Sequence, residues 1–173
     1  LVVFTSDHGH YLGHHGLRAI GPYHFEDGIR VPLIVRWPGK VPSDTRSQAI
    51  QSLVDLPVTF LSAIGVERPR FMSGLDQLPT WKGGSPVRDH TIVEHNNLPG
   101  MVEMKTYIEE RYKITVFRAF DEGELFDLQT DPNEFHNLWN DPSSTELKAQ
   151  LLQKFIQAEM AKEILPMPKV SGA

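Results

Sequence analysis

The 173 residues contain no cysteine, which excludes disulfides, a thiol nucleophile and thiolate metal ligation within the chain. Nor is there an apolar run near the roughly 18 residues that a membrane-spanning helix requires. Excess positive charge is missing too, since the net charge is -5, and that balance favours neither nucleic acid nor anionic lipid as a partner. Internal repeats and low-complexity tracts are absent. So is an initiator methionine: the chain opens on Leu1-Val2-Val3-Phe4-Thr5, a short apolar, β-branched run with the pattern of a buried parallel strand. Such a strand needs neighbours on both sides. We therefore expect the chain to be cut from a longer one, with any signal peptide in the missing part.

What is present reads as strands and helices in alternation. Residues 6–21, rich in Gly and His, read as a loop with one helical turn. Residues 29–37 form a second buried strand closed by Pro38-Gly39, and residues 48–54 a further short strand. A helix follows, with Asp55 as candidate N-cap, Pro57 in its first turn, Gly65 at its end, and Leu56, Phe60, Leu61 and Ile64 on one face. This order suggests an α/β layer structure. The Gly- and Pro-rich segment 69–88 is a connection, which divides the chain into residues 1–82 and 83–173. Beyond it, short strands over 91–94, 102–108, 112–117 and 124–126 predict an antiparallel sheet, followed by a turn at Asp131-Pro132-Asn133. The last helix, about 144–164, opens with the capping-box spacing Ser143-Ser144-Thr145-Glu146 and carries Leu147, Leu151, Phe155, Ile156 and Met160 as a sheet-packing stripe. Trp81, Trp139 and Phe135 read as packing residues, and Lys105, Arg111 and Lys113 as a solvated strand pair.

Chemistry concentrates just after the first strand, in Thr5-Ser6-Asp7-His8-Gly9. Functional groups of open α/β sheets gather at the carboxyl ends of strands, and a carboxylate beside an imidazole is a candidate ligand pair for a divalent metal. Five of the eight histidines, His8, His10, His14, His15 and His24, lie within the first 24 residues. Together with the strand-end Asp they suggest a polar pocket handling anions, metal or protons.

These residues carry a family resemblance. Phe4-Thr5-Ser6-Asp7-His8-Gly9, Leu12-Gly13, His15-Gly16-Leu17, Gly21-Pro22, Glu26 and the run from Arg30 through Trp37-Pro38-Gly39 resemble the sulfatases of the alkaline phosphatase superfamily. So do Leu53-Val54-Asp55-Leu56-Pro57-Val58-Thr59, Glu124-Leu125-Phe126-Asp127-Leu128, Asp131-Pro132 and the stretch from Glu134 to Leu138. The resemblance implies the end of an alkaline-phosphatase-like α/β sandwich, followed by a smaller subdomain with a short antiparallel sheet and a C-terminal helix. It implies that Asp7 and His8 bind the active-site divalent cation, usually calcium, for which an oxygen ligand such as Asp7 is the better match. It places His15 near the pocket as a catalytic candidate, and it implies a periplasmic, secreted or lysosome-like compartment.

Parts of the family pattern are missing. The formylglycine precursor and the paired Asp motif lie upstream in sulfatases and are not in this chain, so these residues alone are expected to be inactive. Gly84-Ser85-Pro86-Val87-Arg88 has the Pro and Arg spacing of the precursor, but Gly84 stands at the nucleophile position and the motif order is wrong. Ile20 occupies the place where sulfatases generally carry a sulfate-contacting Lys, which makes Arg18 or His24 the candidate replacement for its charge. His95, Asn96 and Asn97 form a polar cluster after a short strand, where similar enzymes shape the substrate end of the cleft. Three functions stay open: hydrolysis of a sulfate ester, with a sulfated small molecule or glycan as partner; phosphodiester or phosphonate monoester hydrolysis on the same metal site; or binding of sulfated ligands without turnover.

Overall fold

A computed structural model describes residues 1–96 and 102–162. Asn97 and the expected helix end at 163–164 lie outside the described residues. Strands β1 (Val2–Thr5) and β2 (Leu33–Arg36) pair antiparallel, Val3 opposite Val35 and Thr5 opposite Leu33. The parallel, doubly buried arrangement read from the apolar run is corrected here. Both strands alternate half-buried and exposed positions, and Val2, Phe4 and Ile34 are exposed. A continuous apolar run does not reveal which of its faces will be covered, nor the direction of its neighbour.

Residues 48–54 are not a strand. Side chains take their amides instead: Ser47 Oγ accepts from the Ala49 N–H, and Asp55 Oδ2 from the Ser52 N–H. After the short helix α1 (Glu26–Ile29), the next helix, α2 (Asp55–Ala63), ends with Gly65 at φ 73° as expected. Asp55 does not cap it. Asp55 is the first helical residue, fully buried, and its carboxylate accepts from the Leu75 N–H, Gln77 Nε2 and the Arg88 guanidinium. That arrangement ties segment 69–88 back onto α2. The buried face of α2 is accordingly Asp55, Val58 and Thr59, whereas Phe60 and Ile64 of the expected apolar stripe are exposed. The connection itself holds a short helix, α3 (Leu78–Trp81), where buried Trp81 donates from Nε1 to Gln51.

The C-terminal half follows its alternation closely. Strands β3 (His90–His95), β4 (Met104–Glu109), β5 (Tyr112–Phe117) and β6 (Gly123–Asp127) form one antiparallel sheet in that order. Its two faces do different work. Ile92, Tyr107, Ile114 and Leu125 stand opposite one another across the strands and pack against Leu151, Phe155 and Ala158 of α4 (Thr145–Ala161). Fully burying a Leu or Phe side chain stabilises by about 1.5–3 kcal/mol, so this face is the main core. Ile156 and Met160 of the expected stripe are exposed, and Ala158 is buried in their stead. The capping box does not form. Asp141 accepts from the Ser143 N–H and opens a short 3₁₀ turn, Pro142–Ser144, from which α4 continues. The other face of the sheet carries His95, Thr106, Lys113, Thr115 and Glu124 and turns towards the N-terminal loops. Among the described residues no helix is long and apolar enough to cross a membrane.

Candidate functional site

Asp7 and His8 sit where β1 ends, and Gly9 makes the exit possible. The Gly9 N–H donates to the Gly28 carbonyl at 2.8 Å, and a Cβ on Gly9 would overlap the Asp27 carbonyl oxygen. The loop returns around Tyr11, which is buried, donates from its hydroxyl to the Tyr23 carbonyl at 2.6 Å, and has Gly21 and Gly28 against its ring. The helix α1 (Glu26–Ile29) follows.

Asp7 is 85% exposed at its side chain and His8 52%. The His8 amide donates to Asp7 Oδ1 at 3.0 Å, and this bond is the largest of those holding the Asp7 carboxyl below the usual carboxylate range. His8 Nδ1 lies 2.8 Å from the Gly9 carbonyl, which can only accept, so Nδ1 carries the proton. In the neutral ring His8 Nε2 is then a bare lone pair, 3.7 Å from Asp7 Oδ2. Two acceptors face each other at a separation that two ligands of one hard cation, each about 2.3–2.6 Å from it, can have. A metal-binding imidazole ordinarily donates its other N–H to a carbonyl in this way. The donor set therefore fits a divalent cation but does not complete a site: among the described residues no group of three or more His, Asp or Glu side chains converges.

The pair opens onto a cleft of about 1410 Å³ that runs between the N-terminal loops and the sheet. Ile20, His24, Thr91 and His95 share its lining with Asp7 and His8. His24 is only 5% exposed, with Nδ1 2.7 Å from the Thr106 hydroxyl. Burial above all, with His95 and Lys113 adding to it, pushes its pKa down to about 4. His24 is thus a neutral imidazole near pH 7 and does not supply the charge that a Lys at position 20 would bring. His95, at the end of β3, has its Nε2 shut away from solvent with no hydrogen-bond partner among the described residues. Asn96 beside it is exposed and is not among the lining residues.

The histidine cluster divides. His15 sits at φ 51° in a 3₁₀ turn, stacked on Phe25 at 3.8 Å, with Nε2 3.1 Å from the Asn133 carbonyl. Burial, the first cause, and neighbouring His14 lower its pKa. His14 pairs with Asp27, and His10 accepts from the Leu12 N–H. His15 and Arg18 lie outside the cleft lining, and Arg18 is exposed.

Lys113 was invisible to sequence reasoning as anything but a solvated strand residue, and that expectation is corrected. It is 1% exposed, donates to the His24 carbonyl at 2.8 Å and to Glu26 at 3.2 Å, and pairs with fully buried Glu134. Burial, the larger influence, raises the Glu134 carboxyl above its usual range while Lys113 pulls it back. Glu134 also accepts from the Glu26 N–H at 2.7 Å. This network fastens the His24 segment to the sheet. Lys105 and Arg111 are engaged as well, with Glu159 and Asp127 respectively.

The family of N-sulphoglucosamine sulphohydrolase, C-terminal, matches residues 13–161. The chain is 29% identical over 154 residues to the uncharacterized sulfatase YidJ of Escherichia coli, covering 87% of this chain and 30% of that protein. It is 31% identical over 172 residues to the multifunctional alkaline phosphatase superfamily protein PehA of Trinickia caryophylli, covering 89% of this chain and 33% of that one. Among solved structures, BT4656, in complex with its substrate D-glucosamine-2-N,6-O-disulfate, superposes with a TM-score of 0.86 at 25% identity, over 98% of this chain and 36% of that one. The phosphonate monoester hydrolase of Agrobacterium radiobacter shares the fold, with a TM-score of 0.85 at 23% identity over 95% of this chain and 36% of that one. The chain thus spans about a third of the length of these relatives. With the strand-end Asp-His pair, the cleft it opens onto and the C-terminal sheet all in place, the chain belongs to the sulfatase family, as a C-terminal part of it.

Proposed function

We propose that this chain is the C-terminal part of a sulfuric ester hydrolase acting on a sulfated carbohydrate. One observation carries the reading most directly. The acceptor pair Asp7–His8 and the imidazoles of His24 and His95 line the same cleft, so a metal-bound sulfate group and the polar body of its ester fit into one space. Asp7 and His8 would hold a divalent cation, calcium by preference for oxygen, and the cation would stabilise charge on sulfate oxygens. The nucleophile, a formylglycine, and the remaining ligands would come from outside these residues, and the chain alone would be inactive. His24 and His95 would orient the ester by hydrogen bonds. Phosphonate monoester hydrolysis is the second reading, favoured by the fold shared with the Agrobacterium radiobacter enzyme.

The test is turnover by the full protein that carries this chain. A glucosamine 6-sulfate, an aryl sulfate and a phosphonate monoester would be compared before and after chelation. We expect the highest kcat/KM for a sulfate ester, loss on chelation and recovery with calcium. Preference for the phosphonate would move the protein to the second reading. Tight binding of sulfated sugar with no turnover would mark it as a non-catalytic homologue.

Ile20 supplies a sharper prediction within this reading. It is 60% exposed and lines the cleft, so Ile20→Lys costs little packing. A cation there meets developing charge and stabilises the transition state more than the ground state. We expect kcat to rise by about tenfold, less than the hundredfold or greater losses seen when one donor is removed from a well-organised site. Arg18→Ala, outside the cleft, should leave the rate within about twofold of wild type. Steady-state kinetics on both variants decides the matter: a collapsed rate for Arg18→Ala beside an unchanged one for Ile20→Lys would assign the charge to Arg18.

A further inference from the structure

Two stretches of the cleft lining, residues 7–9 and residues 20–24, meet on one side chain, that of Tyr11. The Tyr11 N–H donates to the Ala19 carbonyl at 3.3 Å and its hydroxyl to the Tyr23 carbonyl at 2.6 Å, so the residue grips the second stretch near both ends. A Cβ on Gly21 would lie 3.2 Å from ring atom Cε2, and one on Gly28 3.0 Å from Cε1. Opposite edges of the ring therefore rest against two glycine backbones. Gly28 in turn accepts through its carbonyl from the Gly9 N–H, next to His8.

Unlike most polar contacts of the loop, the hydroxyl bond has a fixed direction, because a carbonyl only accepts. Burial raises the pKa of Tyr11, so the hydroxyl keeps its proton and donates. The ring has no internal torsion, which makes its span a rigid length. The end of the second stretch has a separate anchor on the sheet, where Thr106 meets His24 Nδ1 and Lys113 donates to the His24 carbonyl. Its start has none: among the described residues, the hydrogen bonds made to residues 19–23 all come from Tyr11.

We propose that Tyr11 is a positioning residue that sets the spacing between the pair Asp7–His8 and the cleft wall formed by Ile20 to His24. It acts through those two stretches and not on the ester itself. The pair is fastened independently by the Gly9–Gly28 bond, so loss of the Tyr11 hydroxyl shifts the wall and leaves the pair in place. Gly21 belongs to the same device, since a methyl group added there must push ring and wall apart. That the spacing serves a sulfate ester rests on the sulfated-carbohydrate reading; the link between pair and wall does not.

The experiment uses the full protein as wild type, Tyr11→Phe and Gly21→Ala. Tyr11→Phe keeps the ring and removes only the hydroxyl. Its KM for glucosamine 6-sulfate should rise about threefold to tenfold, the weight of one neutral hydrogen bond. Its kcat should stay within about twofold, the pattern of lost uniform binding. Gly21→Ala should move KM in the same direction, and calcium affinity by calorimetry should be unchanged in both variants. Amide hydrogen exchange reads the link without turnover. In Tyr11→Phe the N–H of residue 11, bonded to Ala19, should exchange about threefold to tenfold faster, while the Gly9 N–H keeps its wild-type protection. A residue that merely packs the loop would lower the unfolding temperature and leave KM as it was, and that result overturns the proposal. So does a fall in calcium affinity or in Gly9 protection that matches the change at residue 11, because the loop would then loosen as a whole. A protein that hydrolyses no sulfate ester overturns the functional reading, while the two exchange rates still decide the link.

Discussion

Asp7→Ala in the full protein should lower kcat/KM by more than about a hundredfold, whereas His8→Asn should stay within about tenfold of wild type. Losing a group that merely orients a metal ligand typically costs 10–100-fold, so loss of a carboxylate ligand sets a larger expectation. Asn at position 8 keeps an oxygen donor for a hard cation where the imidazole nitrogen had been. Neither change should disturb folding. Asp7 is 85% exposed at its side chain, and the bonds its carboxylate accepts come from the adjacent His8 N–H and Ser6 hydroxyl. Metal content, kinetics and thermal unfolding would be measured on the same preparations. Full metal content and wild-type rates in Asp7→Ala would refute the assignment of the ligand pair.

The second large effect concerns stability. Lys113→Met should destabilise the full protein by about 3–5 kcal/mol at neutral pH, the usual result of leaving one member of a buried ion pair without its partner. Methionine fills the space of the lysine stem but leaves Glu134, fully buried at its side chain, without its cation, and leaves Glu26 with Arg30 alone. The His24 carbonyl loses its donor too. The pH dependence has a definite sign. Burial already raises the Glu134 carboxyl, and removing Lys113 takes away the influence that opposes that rise. A carboxyl whose folded pKa lies above its unfolded value penalises the fold while ionised, and the penalty fades as pH falls through the folded value. Urea unfolding of wild type and variant should therefore differ less at pH 5 than at pH 7.5. Lys113→Met combined with Glu134→Gln should recover much of the loss. A variant as stable as wild type at pH 7.5 would show that the network contributes nothing net.

Local pattern and tertiary context contributed unequally to these expectations. The four-stranded sheet was legible because alternation and tight turns act over a few residues, and the register brought Tyr107, Ile114 and Leu125 onto one face as period-2 patterning requires. The termini of α2 and α4 were less so. Asp55 looked like an N-cap, since Asp before an apolar run ordinarily is one, but its carboxylate is engaged by groups 20 to 33 residues away. No local pattern encodes such partners. Likewise, helical spacing named an apolar stripe on α2 but could not say that Arg88 and Gln77 would draw the polar side inward.

The candidate site shows the same division. The place of Asp7 and His8 at a strand end beside the cleft was readable because strand, carboxylate, imidazole and glycine are consecutive, and the strand that presents them is itself a local pattern. His15 and Arg18 were equally near in sequence and are not in the cleft, because the loop around Tyr11 turns them towards Phe25 and solvent. Lys113 gave no signal at all. A lysine on a strand is ordinarily solvated, and only the approach of the His24 segment and of Glu134 from the far side of the chain buries this one.

What the residues determined by themselves is the family, the antiparallel sheet with its terminal helix, and the position of Asp7 and His8 at the end of β1, because each depends on neighbours a few positions apart. Only the tertiary structure decided which face of the sheet meets the N-terminal loops, which histidines reach the cleft, and that His24 stands there neutral with Thr106 behind it. Those outcomes depend on burial and on partners up to about a hundred residues distant. Desolvation, unlike periodicity, belongs to the packed molecule and to no segment of it.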